Sequence, residues 1–246
     1  MIWALHGAVG RAADWLGFSA DVRKDSAVAA AVGEVRRLDL WRFLDCCPMP
    51  LGKLGDTLAG EIARVDPDPI LVAYSMGGRL ALHALLAKPQ MWRGAVIVSA
   101  HPGLSSELER EDRREKDGEW SAMALKGEWS DFLKKWEGQG VLNGAGEMPD
   151  RRVLKGRRAS VARSFVDWSL GAQADLTDRL HEIECPVLWV TGEDDVKFTK
   201  LAKKAVAEMP HAEHQIIAGC GHRVPWEQSE VFSKHCRHFI QDLVKG

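Results

Sequence analysis

A chain of 246 residues, 46% hydrophobic and 28% charged with a formal net charge of -2, is long enough to bury a large core as one α/β domain. That near-neutral balance offers no basic surface of the kind that grips nucleic acid or an anionic membrane, so the expected partner is a small molecule. No apolar run approaches the roughly 18 to 20 residues of a membrane span, and the opening MIWALHGAVG lacks the features of a signal peptide, so a cytoplasmic protein is expected.

In chain order, short apolar runs at residues 1–5 (MIWAL), 35–41 (VRRLDLW), 69–74 (PILVAY), 94–100 (GAVIVSA), 186–192 (PVLWVTG) and 214–219 (HQIIAG) read as strands. Helix-period apolar positions occupy residues 55–65, 77–88, 198–208 and 226–244. Strands alternating with helices predict a mostly parallel sheet covered by helices on both faces. The rhythm breaks between about residues 101 and 173, where charged and tryptophan-bearing stretches give helices without a strand, and an insertion into a single domain of residues 1–246 explains this best. Within it, ELEREDRREKDGEW carries mixed charges at three- and four-residue spacings, as a solvated helix does. The five cysteines, Cys46, Cys47, Cys185, Cys220 and Cys236, form no C-x-x-C pair and read as reduced, mostly packed thiols, with no metal site expected.

The segment Ala73-Tyr74-Ser75-Met76-Gly77 joins a predicted strand to a predicted helix, the setting of a nucleophile elbow, in which small neighbours let a sharp turn hold the serine hydroxyl above the sheet. Ala73 stands where such elbows usually carry their first glycine, and a plain helix N-cap is the competing reading of Ser75. A serine hydroxyl near neutrality needs a histidine to take its proton and an acid to orient that histidine. Beyond the fifth predicted strand come Asp194 and Asp195, and beyond the sixth comes His222, so the chain order is serine, acid, histidine. Spacing alone does not separate the two aspartates. After the first strand, His6-Gly7-Ala8 forms a glycine-bearing turn whose Ala8 amide, with that of Met76, would face a developing negative oxygen. His6 reads as a turn-stabilising side chain.

The strings LHGAVGRAADW, AYSMGGRLALHALL, HPGL, GEDDVKF and GCGH together resemble the 2-succinyl-6-hydroxy-2,4-cyclohexadiene-1-carboxylate synthase family of menaquinone biosynthesis, and the likeness spans nearly the whole chain. What the resemblance implies is an α/β-hydrolase fold with a helical cap, used by a lyase that abstracts a proton and eliminates pyruvate with no cofactor. It implies Ser75, Asp195 and His222 as the triad, favouring Asp195 over Asp194, and Ser75 acting as a base without an acyl-enzyme. The substrate of that family carries several carboxylates, and guanidinium suits carboxylate through its planar fork of donors. By position the resemblance implies substrate contacts from Tyr74, Arg79, Arg113 and Trp136, and leaves a further clamp open among Arg151, Arg152, Arg157 and Arg158. A serine carboxylesterase or carbon–carbon bond hydrolase working through an acyl-enzyme is the alternative, and a catalytically silent receptor a third; oligomeric state stays open.

Overall fold

The computed structural model describes residues 1–144, 146 and 148–245. Six strands, β1 (Ile2–Leu5), β2 (Val35–Leu38), β3 (Ile70–Tyr74), β4 (Gly94–Val98), β5 (Val187–Gly192) and β6 (Ala212–Ile217), form one sheet in the order β2-β1-β3-β4-β5-β6, every pair parallel. The parallel sheet is what the alternation of strands and helices predicts, and the architecture is the α/β-hydrolase fold that the family resemblance implies. Successive side chains of a strand point to opposite faces, and here both faces are core. Trp3, Leu5, Leu71, Ala73, Ile97 and Trp189 join one hydrophobic cluster, while Ile2, Ala4, Ile70, Val72, Val96 and Val190 join the other. That two-sided burial is why the central strands read as unbroken apolar runs.

Eleven helices among the described residues cover the sheet: α1 (Leu16–Lys24), α2 (Ser26–Val32), α3 (Trp41–Cys46), α4 (Leu51–Ala63), α5 (Met76–Ala87), α6 (Glu107–Lys126), α7 (Trp129–Glu137), α8 (Arg158–Asp167), α9 (Val196–Ala207), α10 (Val224–Glu227) and α11 (Ser229–Lys245). Phe18 and Val22 of α1, Val28 of α2 and Phe232 and Ile240 of α11 fill the second cluster. Leu54 and Leu58 of α4, Leu80 and Leu85 of α5 and Ala202 of α9 fill the first. None of these helices is long and apolar enough to cross a membrane.

Several expected boundaries are corrected. The second strand ends at Leu38, because Leu40 and Trp41 turn inward at the start of α3 and are fully buried there instead of continuing the sheet edge. The sixth runs two residues earlier than expected, and the last helix is divided at Gln228, after the short turn α10 that begins with Pro225 near its N-terminus. The helices α1 to α3 go beyond the apolar periodicity of the sequence, because their short or alanine-rich segments carry little amphipathic period. Of the cysteines, Cys185, Cys220 and Cys236 are buried and Cys46 and Cys47 are exposed, all unbridged.

Between β4 and β5 the chain forms α6, α7 and α8, packed mainly on one another. Trp120, Phe132, Trp136 and Phe165 make an aromatic cluster with ring centroids 5.3 to 6.4 Å apart, a spacing at which aromatic pairs attract beyond simple burial. Arg158 donates to the carbonyls of Ala124 and Gly127 and so satisfies the C-terminal end of α6.

Candidate active site

In an open parallel sheet, ligands bind beyond the carboxyl ends of the strands, where the connections leave in opposite directions. Here that point lies between β1 and β3, paired so that Leu5 sits beside Ala73. The turn after β1 is therefore brought against Ser75. Close approach is enforced by Gly77, where a Cβ would stand 2.6 Å from the carbonyl oxygens of Leu5 and His6. Among the described residues only Val9, Ser75 and Ser99 have positive φ without being glycine, at 50°, 51° and 47°. They follow β1, β3 and β4, so the backbone strain of the molecule is gathered at one rim of the sheet.

Ser75 occupies the N-cap position of α5, yet its side chain makes no capping hydrogen bond. Its hydroxyl lies instead 3.1 Å from His222 Nε2, and His222 Nδ1 lies 2.7 Å from Asp195 Oδ2. With the proton on Nδ1 donated to the carboxylate, Nε2 is left as an acceptor facing the hydroxyl. Asp195 and His222 are buried, whereas Asp194 is exposed and uses its backbone N–H on the Cys220 carbonyl. The two adjacent aspartates are thus separated by geometry where spacing could not do so. The loops bearing them meet tightly at Gly192, where any Cβ would collide with the Cys220 and Gly221 carbonyls.

Ala8 and Met76 border the cavity beside Ser75, and among the described residues neither backbone amide has a hydrogen-bond partner. His6 is fully buried; Nδ1 lies 2.9 Å from the Gly7 carbonyl and Nε2 accepts from the Leu40 amide. Burial lowers its pKa, and the ring is a neutral brace of the turn.

A cavity of about 240 Å³ opens above the hydroxyl, and its walls include Ala8, Met76, Tyr74, Arg79, Arg113, Trp136 and His222, while Asp195 lies behind His222, outside that lining. Arg79 is 8% exposed and donates to Gln173 Oε1 at 3.0 Å and to the Trp168 carbonyl at 2.6 Å, both neutral acceptors. Among the described residues no carboxylate is ion-paired with it. Burial first, and then the Arg113 charge, push its pKa down to about 9 against the pull of Asp117, which leaves it a cation at neutral pH. Arg113 is half exposed and held at 2.9 Å by Asp117, a buried carboxylate that also accepts from Ser169 at 2.8 Å. Both arginines are therefore tied to the stretch from Trp168 to Gln173. The Tyr74 hydroxyl forms no hydrogen bond among the described residues, and burial raises its pKa well above the ordinary phenol value.

The arginines left open in sequence now separate. Arg152 is exposed on Asp150, Arg157 bonds Asp39 and Asp45, and Arg158 caps α6. Arg151 alone of the four lies near the serine, buried against Asp14 at 2.5 Å, where it borders a smaller space that shares Ala8, Tyr74 and Trp136 with the main cavity. Sequence reasoning missed Gln173, Asp117 and Phe198, whose ring lies 4.4 Å from that of His222. Gln173 acts through a partner 94 positions away with no local mark, whereas Asp117 is the i+4 partner of Arg113 and Phe198 closes the GEDDVKF string, though their contacts with Ser169 and His222 span 52 and 24 positions. Among the described residues there is no group of three or more His, Cys, Asp or Glu side chains placed to hold a metal ion.

Parallel sheet, strand–serine–helix turn and hydrogen-bonded serine, histidine and aspartate together define a hydrolase-fold protein. The alpha/beta hydrolase family model matches residues 4–234, and the chain belongs to that family. Within it, the chain is 29% identical to the 2-succinyl-6-hydroxy-2,4-cyclohexadiene-1-carboxylate synthase of Photorhabdus laumondii, over 98% of this chain and 84% of that one. A relative from Bacillus subtilis is 29% identical over 70% of this chain, and the match spans 66% of that protein. Among solved structures, MenH from S. aureus superposes with a TM-score of 0.80 at 21% identity, covering 98% of this chain and 93% of that one. A thermophilic esterase from Thermogutta terrifontis gives 0.76 at 19%, covering 98% and 89%. At such identities the superpositions speak to the fold alone.

Proposed function

We propose that this protein is a lyase of the 2-succinyl-6-hydroxy-2,4-cyclohexadiene-1-carboxylate synthase kind, taking a proton from a polycarboxylate substrate and eliminating pyruvate. The observation that carries this reading is Arg79: a buried guanidinium without a carboxylate partner among the described residues, in the cavity of Ser75 and one helical turn from it. A buried cation left without a counter-charge is costly unless a ligand supplies one. Arg113 on α6 borders the same cavity, so two fixed cations would hold carboxylates while Ser75 works between them.

In the proposed step, Asp195 keeps His222 in the tautomer whose Nε2 is free, and His222 takes the Ser75 proton. Ser75 Oγ removes the substrate C–H proton; the electron pair moves into the ring system as the bond to the pyruvyl oxygen breaks. Charge that develops on a substrate carbonyl or carboxylate oxygen is received by the Ala8 and Met76 amides. Taking that proton restores the Ser75 hydroxyl, the His222 imidazolium gives its own proton to the departing enolate to complete pyruvate and return to neutrality, and no carbon–oxygen bond to Ser75 forms. The helices between β4 and β5 act as a cap within the single domain, supplying Arg113 and Trp136, while Tyr74 and Arg151 extend the anion-binding wall.

The second reading, an esterase or carbon–carbon hydrolase, draws on the unengaged Ala8 and Met76 amides, which would suit a tetrahedral oxyanion equally well. One preparation assayed against the menaquinone-pathway substrate and against neutral aryl esters separates the two. The lyase reading expects pyruvate release at a kcat/KM far above that for any ester; preference for the esters overturns it.

A further inference from the structure

The imidazole of His222 must keep two hydrogen bonds at once, 2.7 Å to Asp195 and 3.1 Å to Ser75, while sitting on the six-residue loop 218–223 between β6 and α10. Such loops are the readily displaced parts of a fold unless something anchors their backbone. On one side the anchor is the aspartate loop, whose Asp194 N–H donates to the Cys220 carbonyl at 3.0 Å. On the other side it is a single carboxylate. Glu227 Oε2 accepts from the Gly221 N–H at 2.8 Å and Glu227 Oε1 accepts from the Arg223 N–H at 3.0 Å. These are the two residues on either side of His222, so one side chain spans the histidine.

The arrangement is closed further by the backbone, since the Glu227 N–H donates to the Arg223 carbonyl at 3.0 Å and the side chain returns to the N–H of that same residue. The Glu227 side chain is 5% exposed, and the Arg223 guanidinium 4.0 Å away supplies its counter-charge. A buried carboxylate bonded to two amides and faced by a cation holds a fixed position. Glu227 itself lines neither space beside the serine; of this set only Arg223 borders the smaller one. The carboxylate acts on the histidine's backbone and through it on the direction of the ring.

We propose that Glu227 is a positioning residue for the Ser75–His222–Asp195 relay, fixing the His222 backbone so that its ring meets aspartate and serine together. The inference rests on the reading of His222 as the group that takes the Ser75 proton. Its chemical signature is that both carboxylate oxygens are needed. Glutamine keeps the shape but offers one acceptor oxygen and one donor NH₂, so one of the two amides would face a donor. Glu227→Gln is therefore expected to be disruptive, whereas Glu227→Asp keeps two acceptor oxygens and the charge on a stem shorter by one methylene.

The test compares the wild-type protein with Glu227→Gln, Glu227→Asp and His222→Ala, by steady-state kinetics on the polycarboxylate substrate and by proton NMR of the His222 Nδ1–H shared with Asp195, with circular dichroism as the check on folding. Displacement of a catalytic group by about an ångström costs on the order of a hundredfold. Glu227→Gln is expected to lower kcat by about ten- to a hundredfold with KM changed less than about threefold, and to broaden or abolish the downfield Nδ1–H resonance; Glu227→Asp falls between. Unchanged kcat and an intact resonance in folded Glu227→Gln would overturn the proposal, as would a KM effect alone. If Glu227→Gln does not fold, an intact resonance and wild-type kcat in Glu227→Asp, despite its shorter reach, overturns it equally, and loss of both supports it. Full turnover by His222→Ala would instead sink the underlying reading of the histidine, and the resonance still reports on Glu227 in that case.

Discussion

Replacing Arg79 separates a substrate clamp from a structural cation. A guanidinium has five N–H donors; two go to Gln173 Oε1 and the Trp168 carbonyl, which leaves three for a ligand in the cavity. A hydrogen bond to a charged group contributes about 1.5 to 3 kcal/mol, and about 1.4 kcal/mol is a factor of ten. Arg79→Ala is then expected to lower kcat/KM for the polycarboxylate substrate by about ten- to a hundredfold or more, while a neutral aryl ester changes less than about threefold. Stability should move little. The variant strands two neutral acceptors, at about 1 to 3 kcal/mol each if they stay dry, but relieves the desolvation of an unpaired cation. Arg79→Lys keeps the charge without the fork and should recover part of the loss. Since Arg79 and Arg113 border one cavity, their losses should be non-additive in a double-mutant cycle. Thermal melts alongside both assays complete the experiment. Equal loss on both substrates, or none on either, would refute the reasoning and make Arg79 a brace for the Trp168–Gln173 stretch.

Ser75→Ala and His222→Ala are each expected to cut turnover by about a thousandfold or more in folded protein, measured by pyruvate release, because members of one catalytic unit act together. Asp195→Asn should be far more harmful than Asp194→Asn, since only Asp195 touches His222; kcat for the two variants checks this. Gly77→Ala should lower the melting temperature markedly, as its Cβ would stand 2.6 Å from two backbone oxygens that cannot yield. His83 tests the acid side of stability. Burial first, then the Arg79 charge, hold its pKa down to about 4 against an unfolded value of 6.5. Between those values the unfolded chain binds the extra proton, so stability falls as pH drops from 6.5 to 4, by up to about 3 kcal/mol from this group. Its Nε2 has no partner among the described residues, so His83→Leu should flatten the pH dependence of denaturant unfolding across that window, and parallel curves for the two proteins would contradict this.

How far the fold and site could be read from the sequence depended on how local each signal is. β3, β4 and β5 are buried on both faces and so appear as apolar runs, and the turn after β3 carries its requirement for small residues within five positions. β2 lies at the sheet edge with Arg36 and Arg37 exposed, so its end could not be told from the buried Leu40 and Trp41 that begin the next helix. Asp194 and Asp195 are indistinguishable by spacing because a one-residue difference in a loop becomes a difference of direction only once Asp195 turns toward His222. The role of Gln173 is set by a partner brought near through folding, since a glutamine in SLGAQADL gives no sign that it will accept from an arginine 94 residues earlier, whereas the partners of Glu227 lie within six residues and only their shared position around His222 was hidden.

The central claim, that Ser75 moves a proton without becoming acylated, is tested most directly by rapid mixing of enzyme with excess polycarboxylate substrate, acid quench at times within the first turnover, and intact-protein mass measurement. The account predicts pyruvate release with no initial burst and a protein mass unchanged at every time, with the same outcome when a nucleophile such as hydroxylamine is added as an acyl trap. A mass increase that maps to Ser75 and decays at the turnover rate would contradict it and make the protein a serine hydrolase.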